Sequence, residues 1–196
     1  MRSRQWGPED YQEMPWKNGG GSTTQLVIEP PGGSLAAGFD YRLSMAAVPA
    51  SGPFSSFPGI DRTLLLVAGA GMELDHGAQG RSLLAGPWQP VTFSGDWATV
   101  GRLLGGPCRD FNVMTARDRY RHRVTILRPG AEPTALPEAP VVLAYCARGR
   151  VRLGGGAGDL GAGRLLRLEG GGSSALAVTG SGGDTLLVVV ALWPVA

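Results

Sequence analysis

Short segments rich in β-branched and apolar residues recur along the chain, and turns that contain glycine or proline separate them. The chain has 32 glycines and 15 prolines, a content that favours many tight turns over long helices. Strands are predicted at residues 25–29, 41–48, 63–68, 72–75, 81–84, 91–93, 98–103, 109–117, 121–127, 141–145, 151–153, 164–168, 175–178 and 185–193. This series predicts an all-β sandwich or barrel, preceded by a loop-like segment over residues 1–24.

A soft domain boundary is predicted at residues 105–107, whose sequence is Gly-Gly-Pro. With 196 residues, the chain can form one large β domain or two small ones that share a core. The two halves show no clear sequence repeat, although both are strand series of similar length. We therefore predict two packed β-barrels, residues 1–106 and residues 107–196, with interleaving of strands allowed at the boundary.

The stretch of residues 14–24, Met-Pro-Trp-Lys-Asn-Gly-Gly-Gly-Ser-Thr-Thr, has an unusual composition. Lys17 is the only lysine among the 18 Lys and Arg residues of the chain, and Asn18 is one of two asparagines. A compact ammonium differs chemically from a guanidinium fork, and the glycines allow close approach of the backbone to a ligand. The stretch is typical of a donor-rich loop beside a strand. A glycine turn with a solvent-exposed lysine is the alternative.

Period-two alternation assigns faces to two predicted strands. In one strand, Arg42 and Ser44 share a face, and they line a pocket if that face is the barrel interior; on a solvent face they are ordinary exposed residues. In the other strand, Asp110, Asn112 and Met114 share a face. An asparagine inside a strand needs partners if it is buried, so Asn112 is either a pocket group or a structural bracket.

Four motifs occur in order along the chain: MPWKNGGGST at residues 14–23, FxxRLSxA at 39–46, GPFSxFPGIDR at 52–62 and DxNVM at 110–114. Together they resemble the HutD/Ves family of bacterial bicupin-like proteins. The resemblance covers roughly the first 120 residues and implies a bicupin fold and a role in histidine utilisation. Tyr41 stands where the family usually has Trp, and Ser51 where an Asp is common.

Metal-dependent cupin chemistry lacks its usual ligands. The chain has two histidines, His76 and His122, in no HxH arrangement, and its two cysteines, Cys108 and Cys146, lie far apart. The alternative is a metal site in which the fold brings both histidines together. Since a GxSxG nucleophile motif is also missing, we predict no metal, no cofactor and no catalytic residue.

The remaining donors and apolar walls suit a small ligand with a carboxylate. The candidate ligand-binding residues are Trp16, Lys17, Asn18, Gly19, Arg42, Ser44, Phe54, Arg62, Asn112 and Met114. We predict a metal-free cupin protein that binds a small anionic metabolite. The resemblance implies a regulator of histidine utilisation, with a formylglutamate-like intermediate as the ligand.

Two other hypotheses remain open. An isomerase or lyase that acts on a small organic acid would use Lys17 as base, with Asp61 or Asp96 as partner. Alternatively, the aromatic residues of the 52–62 motif, Phe54 and Phe57, form a contact with a partner or with a second copy, as in a homodimer. Exposed aromatic side chains would favour such a contact, and buried ones would favour core packing.

The net charge and the hydropathy of the chain limit its expected partners and cellular location. A formal net charge of +2 is too small to indicate nucleic-acid binding. The N-terminal residues lack the apolar core of a signal peptide. The longest apolar run, residues 186–193, is much shorter than the roughly 20 residues of a membrane span. We therefore expect a cytoplasmic protein without a nucleic-acid or membrane partner.

Overall fold

The computed structural model describes residues 2–16, 20–156, 158–170 and 176–196. Almost all regular structure in these ranges is β, which confirms the all-β prediction. The strands are β1 (Arg2–Trp6), β2 (Gln12–Pro15), β3 (Ser22–Glu29), β4 (Tyr41–Val48), β5 (Gly52–Pro53), β6 (Ile60–Ala68), β7 (Met72–Asp75), β8 (Arg81–Leu84), β9 (Val91–Ser94), β10 (Val100–Leu103), β11 (Cys108–Ala116), β12 (Tyr120–Leu127), β13 (Thr134–Ala135), β14 (Val141–Arg148), β15 (Arg150–Leu153), β16 (Asp159–Gly161), β17 (Leu165–Glu169), β18 (Ala177–Gly180) and β19 (Leu186–Pro194). Single 3₁₀ turns lie at Pro8–Asp10, Gly77–Gln79 and Gly154–Gly156.

The chain divides into two compact units. One contains residues 11–120 together with Val195, and the other contains residues 2–10, 121–194 and Ala196. This division differs from the predicted boundary after residue 106. The reason is the pairing of β11, which lies between β4 and β6 and therefore belongs to the first of these units.

In the unit of residues 11–120, two sheets enclose an apolar core. The six-stranded sheet has the order β2-β3-β4-β11-β6-β9, and the four-stranded sheet has the order β5-β10-β7-β8. Leu64 and Leu66 of the larger sheet share one buried cluster with Met72 and Leu74 of the smaller sheet. The face of the six-stranded sheet that carries Leu64 and Leu66 is therefore the inner face of this unit.

The other unit has the same two-sheet plan. Its sheets have the orders β1-β17-β14-β19-β12 and β13-β18-β15-β16. Alternate residues of β14 and β19 pack with residues of β15, β16 and β18 in one buried cluster. Burial of such an apolar face is the main source of stability for a sheet of this kind.

The loop-like prediction for residues 1–24 is wrong for two segments. Arg2–Trp6 forms β1, which pairs with β17 from Arg2 opposite Glu169 to Trp6 opposite Leu165, and Gln12–Pro15 forms β2, which pairs with β3. Most of their side chains are exposed, so neither segment shows the alternation that would reveal it. No helix within the described ranges has the length and hydropathy needed to cross a membrane.

Candidate functional site

A group of polar side chains occupies the inner face of the six-stranded sheet. In antiparallel pairs, residues directly opposite each other point to the same face. Arg42 lies opposite Met114, and Ser44 lies opposite Asn112. Since Asn112 also lies opposite the core residue Leu64, all these side chains point inward. The alternation predicted for both strands agrees with this register.

Arg42 is a buried cation, 3% exposed. Its Nε donates to Oε1 of Gln25 at 2.8 Å, and its Nη1 donates to Oγ of Ser44 at 3.1 Å. The Sδ atom of Met114 lies 3.9 Å from Nη1. Burial lowers the pKa of Arg42 to about 10, so the guanidinium remains charged at neutral pH.

Arg62 lies in an aromatic environment. It lies opposite Met114 on the other side of β11 and is 4% exposed. Its guanidinium carbon is 5.4, 5.3 and 5.1 Å from the ring centroids of Phe54, Phe57 and Phe93. Its Nη1 donates to the carbonyl oxygen of Ser55 at 3.5 Å. Arg62 therefore also holds the loop that precedes β6 against the core.

Backbone contacts fix this loop from the other side. The N–H groups of Phe54 and Phe57 donate to the carbonyls of Thr99 and Gly95, both at 2.8 Å. A Cβ atom at Gly95 would lie 2.7 Å from the carbonyl oxygen of Phe57, so only glycine fits there. Phe54 and Phe57 are each half-buried, which leaves both the contact hypothesis and the packing hypothesis open.

Asp61 and Asp96, the proposed partners of a catalytic lysine, lie in an exposed ion-pair network. Arg117 donates from Nε to Oδ1 of Asp61 at 2.8 Å and from Nη2 to Oδ2 of Asp96 at 2.7 Å. Asp96 also accepts a hydrogen bond from the N–H of Gly59 at 2.7 Å. Hydrogen bonds from Ser94, Gly59 and Arg117 keep the pKa of Asp96 well below its usual range. These two carboxylates thus hold the loop and do not line the inner face.

Asp110 and Asn112 continue the inner polar face along β11. Asp110 is 3% exposed and lies opposite Ala46 and Leu66; Asn112 is 9% exposed. Burial raises the pKa of Asp110 to about 7, although the charge of Arg62 and a backbone hydrogen bond from Ala46 oppose the shift. Asp110 is therefore a buried carboxyl group on this face whose pKa suits an acid or a base at neutral pH.

Trp16 directly follows β2 and is hydrogen-bonded to β3. It packs against the core cluster of this unit, and its Nε1 donates to Oγ1 of Thr23 at 2.8 Å. A Cβ atom at Gly21 would lie 2.6 Å from the carbonyl oxygen of Ala47, so this glycine allows close strand approach. The predicted site residues Lys17, Asn18 and Gly19 lie outside the described residues.

The histidine donors do not fit a cupin metal. His76 is buried, with Nδ1 2.9 Å from Oγ1 of Thr99 and Nε2 3.3 Å from Oγ of Ser82. Its ring lies 5.0 Å from that of Phe93. His122 is on β12, in the other unit. Within the described ranges, no three His, Cys, Asp or Glu side chains converge as metal ligands would.

Two inner-face residues were not among the predicted site residues. Gln25 lies opposite Ser44 and reaches Arg42, and Asp110 lies two residues before Asn112. The same period-two argument that selected Arg42 and Asn112 would have included Asp110. Gln25 needed the strand register, which includes an irregularity between Gln25 and Val27 that no sequence pattern reveals.

Comparison with protein families and curated proteins gives consistent matches. The model of the HutD family matches residues 8–187. An uncharacterised 21.2 kDa protein in the hutC 3′ region of Pseudomonas putida is 43% identical over 117 residues, which are 59% of this chain and 60% of the relative. Protein Ves of Citrobacter koseri is 34% identical over 121 residues, 60% of this chain and 61% of the relative. The chain thus spans about three fifths of the length of the curated relatives it matches.

Two solved structures resemble the whole chain. The structure of HutD from Pseudomonas fluorescens SBW25, in a formate condition, has 33% identity and a TM-score of 0.80, with full coverage of both chains. A conserved protein of unknown function from Pseudomonas aeruginosa PAO1 has 32% identity and a TM-score of 0.85, with coverage of 98% of this chain and 99% of that one.

A more distant likeness defines the fold. Oxalate decarboxylase from Lactobacillus farciminis, a cupin-fold protein, has a TM-score of 0.64 at 10% identity, with coverage of 96% of this chain and 85% of that chain. At this identity the likeness concerns the fold alone. It confirms the predicted cupin-like architecture and says nothing of activity.

Proposed function

This chain belongs to the HutD family, and from that premise we propose that it is a small-molecule-binding cupin protein that regulates histidine utilisation. Its ligand is a small carboxylate metabolite, such as a formylglutamate-like intermediate, and binding requires no metal. The ligand site is the inner polar face of the unit of residues 11–120. The location of the Pseudomonas putida relative in the hutC 3′ region supports the link to histidine utilisation.

The observation that carries the proposal is the environment of Arg42. Its partners among the described residues are neutral groups of Gln25, Ser44 and Met114. A buried charge without a counter-ion is costly, and proteins usually pair such a charge or use it. A carboxylate ligand would supply the missing negative charge through short, charge-assisted hydrogen bonds.

Neighbouring side chains hold the Arg42 guanidinium in one orientation. Gln25 and Ser44 accept hydrogen bonds from Arg42 and so orient the guanidinium before a ligand arrives. Such preorganisation reduces the entropy that binding costs. Lys17 and Asn18, which we predict from the sequence to belong to the same site, would add donors to a second carboxylate or to a carbonyl oxygen.

The test is a thermal-shift screen of the metal-stripped protein against small carboxylates and phosphates, including intermediates of histidine breakdown. A ligand at a hundredfold excess over its Kd adds about 2.7 kcal/mol to the free energy of unfolding, which is readily measured. The screen is run with and without divalent metal ions. A shift with carboxylates alone supports the proposal, and a shift that requires metal contradicts it.

Site variants test whether the ligand-induced thermal shift comes from binding at the inner polar face. Arg42→Gln and Lys17→Ala are expected to remove the ligand-induced shift, while Arg102→Gln, a change at an exposed arginine of β10, retains it. Circular dichroism of each variant verifies folding. Retention of the shift in both site variants would contradict the site assignment.

The regulatory part of the proposal needs a separate experiment. Deletion of the gene is expected to change the expression of histidine-breakdown enzymes when histidine is the nitrogen source. A copy that carries Arg42→Gln should not restore the normal level, whereas the Arg102→Gln copy should. Normal expression in the deletion strain would contradict the regulatory role without affecting ligand binding.

A further inference from the structure

The core of the unit of residues 2–10 and 121–194 differs from that of the other unit. Its buried cluster consists of aliphatic residues and Cys146, and the buried hydroxyl of Thr185 donates to the carbonyl oxygen of Gly182 at 3.0 Å. Among the described residues, this core therefore lacks a polar face like that of β4 and β11. A site for a polar molecule on this unit must lie outside its core.

Such a site exists as a groove on the outer side of the four-stranded sheet of this unit. The groove has a volume of about 460 Å³, which is in the range of small-molecule sites. Arg152 of β15 lies opposite Asp159 of β16 and Thr179 of β18, and all three line the groove. They point outward, because the next residue of β15, Leu153, belongs to the core.

The remaining wall of the groove is apolar and closely built. Pro133 and Ala177 line it, together with Gly154, Gly155 and Gly158. A Cβ atom at Gly154 would lie 3.0 Å from the carbonyl oxygen of Ala177, whereas a Cβ atom at Gly155 or Gly158 would meet no atom of the described residues within 4 Å. The glycines thus leave open space in which the flat body of a ligand can approach the backbone.

One positive charge at the groove has no partner. Asp159 is paired with Arg150, whose Nη1 lies 3.6 Å from its Oδ2. The guanidinium of Arg152 makes no ion pair and no hydrogen bond with the residues that the structure describes. These three side chains therefore carry one net positive charge, and it lies beside an apolar wall.

We propose that this groove is a binding site for a small monocarboxylate with an apolar body, such as an aromatic acid, and that Arg152 binds the carboxylate. Thr179 donates a hydrogen bond from its hydroxyl to the same group, and the apolar wall contacts the ring. A single carboxylate matches the one unpaired charge, whereas Asp159 repels a dianion more strongly. The groove lies on a different unit from the inner polar face, so this inference does not depend on the function proposed above.

NMR titration of the isotope-labelled full chain tests the inference with three probes. Benzoate has a carboxylate and a ring, acetate has the carboxylate alone, and benzyl alcohol has the ring without a charge. Benzoate should shift the amide signals of Arg152, Gly155 and Thr179. Its Kd should be about tenfold lower than that of either other probe, because each of them lacks one of the two contacts.

Variants assign the binding to the groove. Arg152→Gln should raise the Kd of benzoate about tenfold, since it removes a charge-assisted hydrogen bond. Arg123→Gln is the matched control, because Arg123 is an exposed arginine of β12 in the same unit and should leave the Kd unchanged. Asp159→Asn should lower the Kd, because it removes a nearby negative charge. The amide spectrum of each variant verifies that it is folded.

Several results would overturn the inference. They are no shift at Arg152, Gly155 and Thr179 with benzoate, equal affinity for benzoate and benzyl alcohol, or an unchanged Kd in Arg152→Gln. Shifts confined to the amides of Arg42 and Asn112 would overturn it too, while they would support the carboxylate site on the inner polar face. Shifts at the groove that Arg42→Gln does not alter would support this inference independently of that site.

Discussion

Burial outweighs the positive charge of Arg62 at the Asp110 carboxyl group. Removal from water raises the pKa of Asp110 to about 7, and the charge of Arg62 offsets only part of this effect. The same burial lowers the pKa of Arg62 to about 10, while Asp110 acts in the opposite direction. Asp110 is therefore close to half-protonated at neutral pH, which gives the fold a specific pH dependence.

Asp110 should make the protein less stable as the pH rises from about 4 to 7. In this range the unfolded chain releases the Asp110 proton while the folded chain retains it, so the free energy of unfolding falls with increasing pH. The upper limit of the change is on the order of 4 kcal/mol, from the pKa difference. Urea unfolding of the wild-type chain and of Asp110→Asn at several pH values measures it.

The Asp110→Asn variant cannot titrate at this position. Its stability should exceed that of the wild type at pH 7, and the difference should become small towards pH 4, near the ordinary pKa of 3.8 at which the unfolded carboxyl group also takes up its proton. If the difference between the two proteins were the same at all pH values, Asp110 would not be the titrating group.

The sequence predicted the strands of the candidate site well because both faces of β4 and β11 are buried and local alternation still separates them. Arg42 and Ser44 interrupt an apolar strand at alternate positions, as do Asp110 and Asn112. The alternation showed that these polar residues share a face, but burial of that face became clear only from the register with Leu64 and Leu66. The pairing of the two strands, separated by about sixty residues of chain, depends on tertiary contacts that periodicity does not encode.

Other features of the structure could not be predicted from the sequence, because they depend on contacts between residues that are distant in sequence. Strand β1 has four exposed residues and exists because β17 offers it a complete row of hydrogen bonds. The aromatic environment of Arg62 combines Phe54 and Phe57 from one loop with Phe93 from β9. The strand at residues 109–117 was predicted, but the boundary after residue 106 assigned it to the second barrel, because a Gly-Gly-Pro turn indicates a break between strands and does not show which sheet the next strand joins.

His76 should make the protein less stable at acidic pH. Burial lowers the pKa of His76 below its ordinary value of 6.5, with a smaller opposing effect from Asp75. As the pH falls through 6.5, the unfolded chain takes up a proton that the folded chain resists, so the free energy of unfolding decreases. Asp110 has the opposite effect over the same range.

Single substitutions separate the pH dependence that His76 causes from the pH dependence that Asp110 causes. Between pH 7.5 and 5.5, His76→Gln should lose less stability than the wild type, because it keeps polar atoms near Thr99 and Ser82 but does not titrate. Urea midpoints at the two pH values provide the measurement. A pH dependence identical to that of the wild type would exclude His76 as the source.

Arg117 should order the loop that carries Phe54 and Phe57. It bridges Asp61 and Asp96, and Asp96 binds the N–H of Gly59 at the end of the loop. In Arg117→Lys a single ammonium cannot span both carboxylates as the guanidinium does. We expect faster hydrogen exchange at Gly59 and Phe57 with little change in global stability, because exposed ion pairs contribute little.

A matched control for this variant is available on the four-stranded sheet. Arg81 of β8 also lies near two carboxylates, those of Glu73 and Asp75, and strands β7 and β10 separate β8 from β5 at the start of the loop. Arg81→Lys should leave exchange at Gly59 and Phe57 unchanged. Equal protection in the Arg117→Lys variant and the wild type would show that the backbone contacts alone fix the loop.

Gly101 and Gly52 form a cross-strand pair whose members should tolerate alanine very differently. A Cβ atom at Gly101 would lie 2.5 Å from Cε2 of Phe54, whereas a Cβ atom at Gly52 meets no atom of the described residues within 4 Å. Gly101→Ala must displace the Phe54 ring from Arg62 and should cost about 1–3 kcal/mol of the free energy of unfolding. Gly52→Ala should change it by less than about 0.5 kcal/mol. Urea unfolding of both variants decides the matter, since equal losses would mean that backbone flexibility, and not the Phe54 contact, sets the cost.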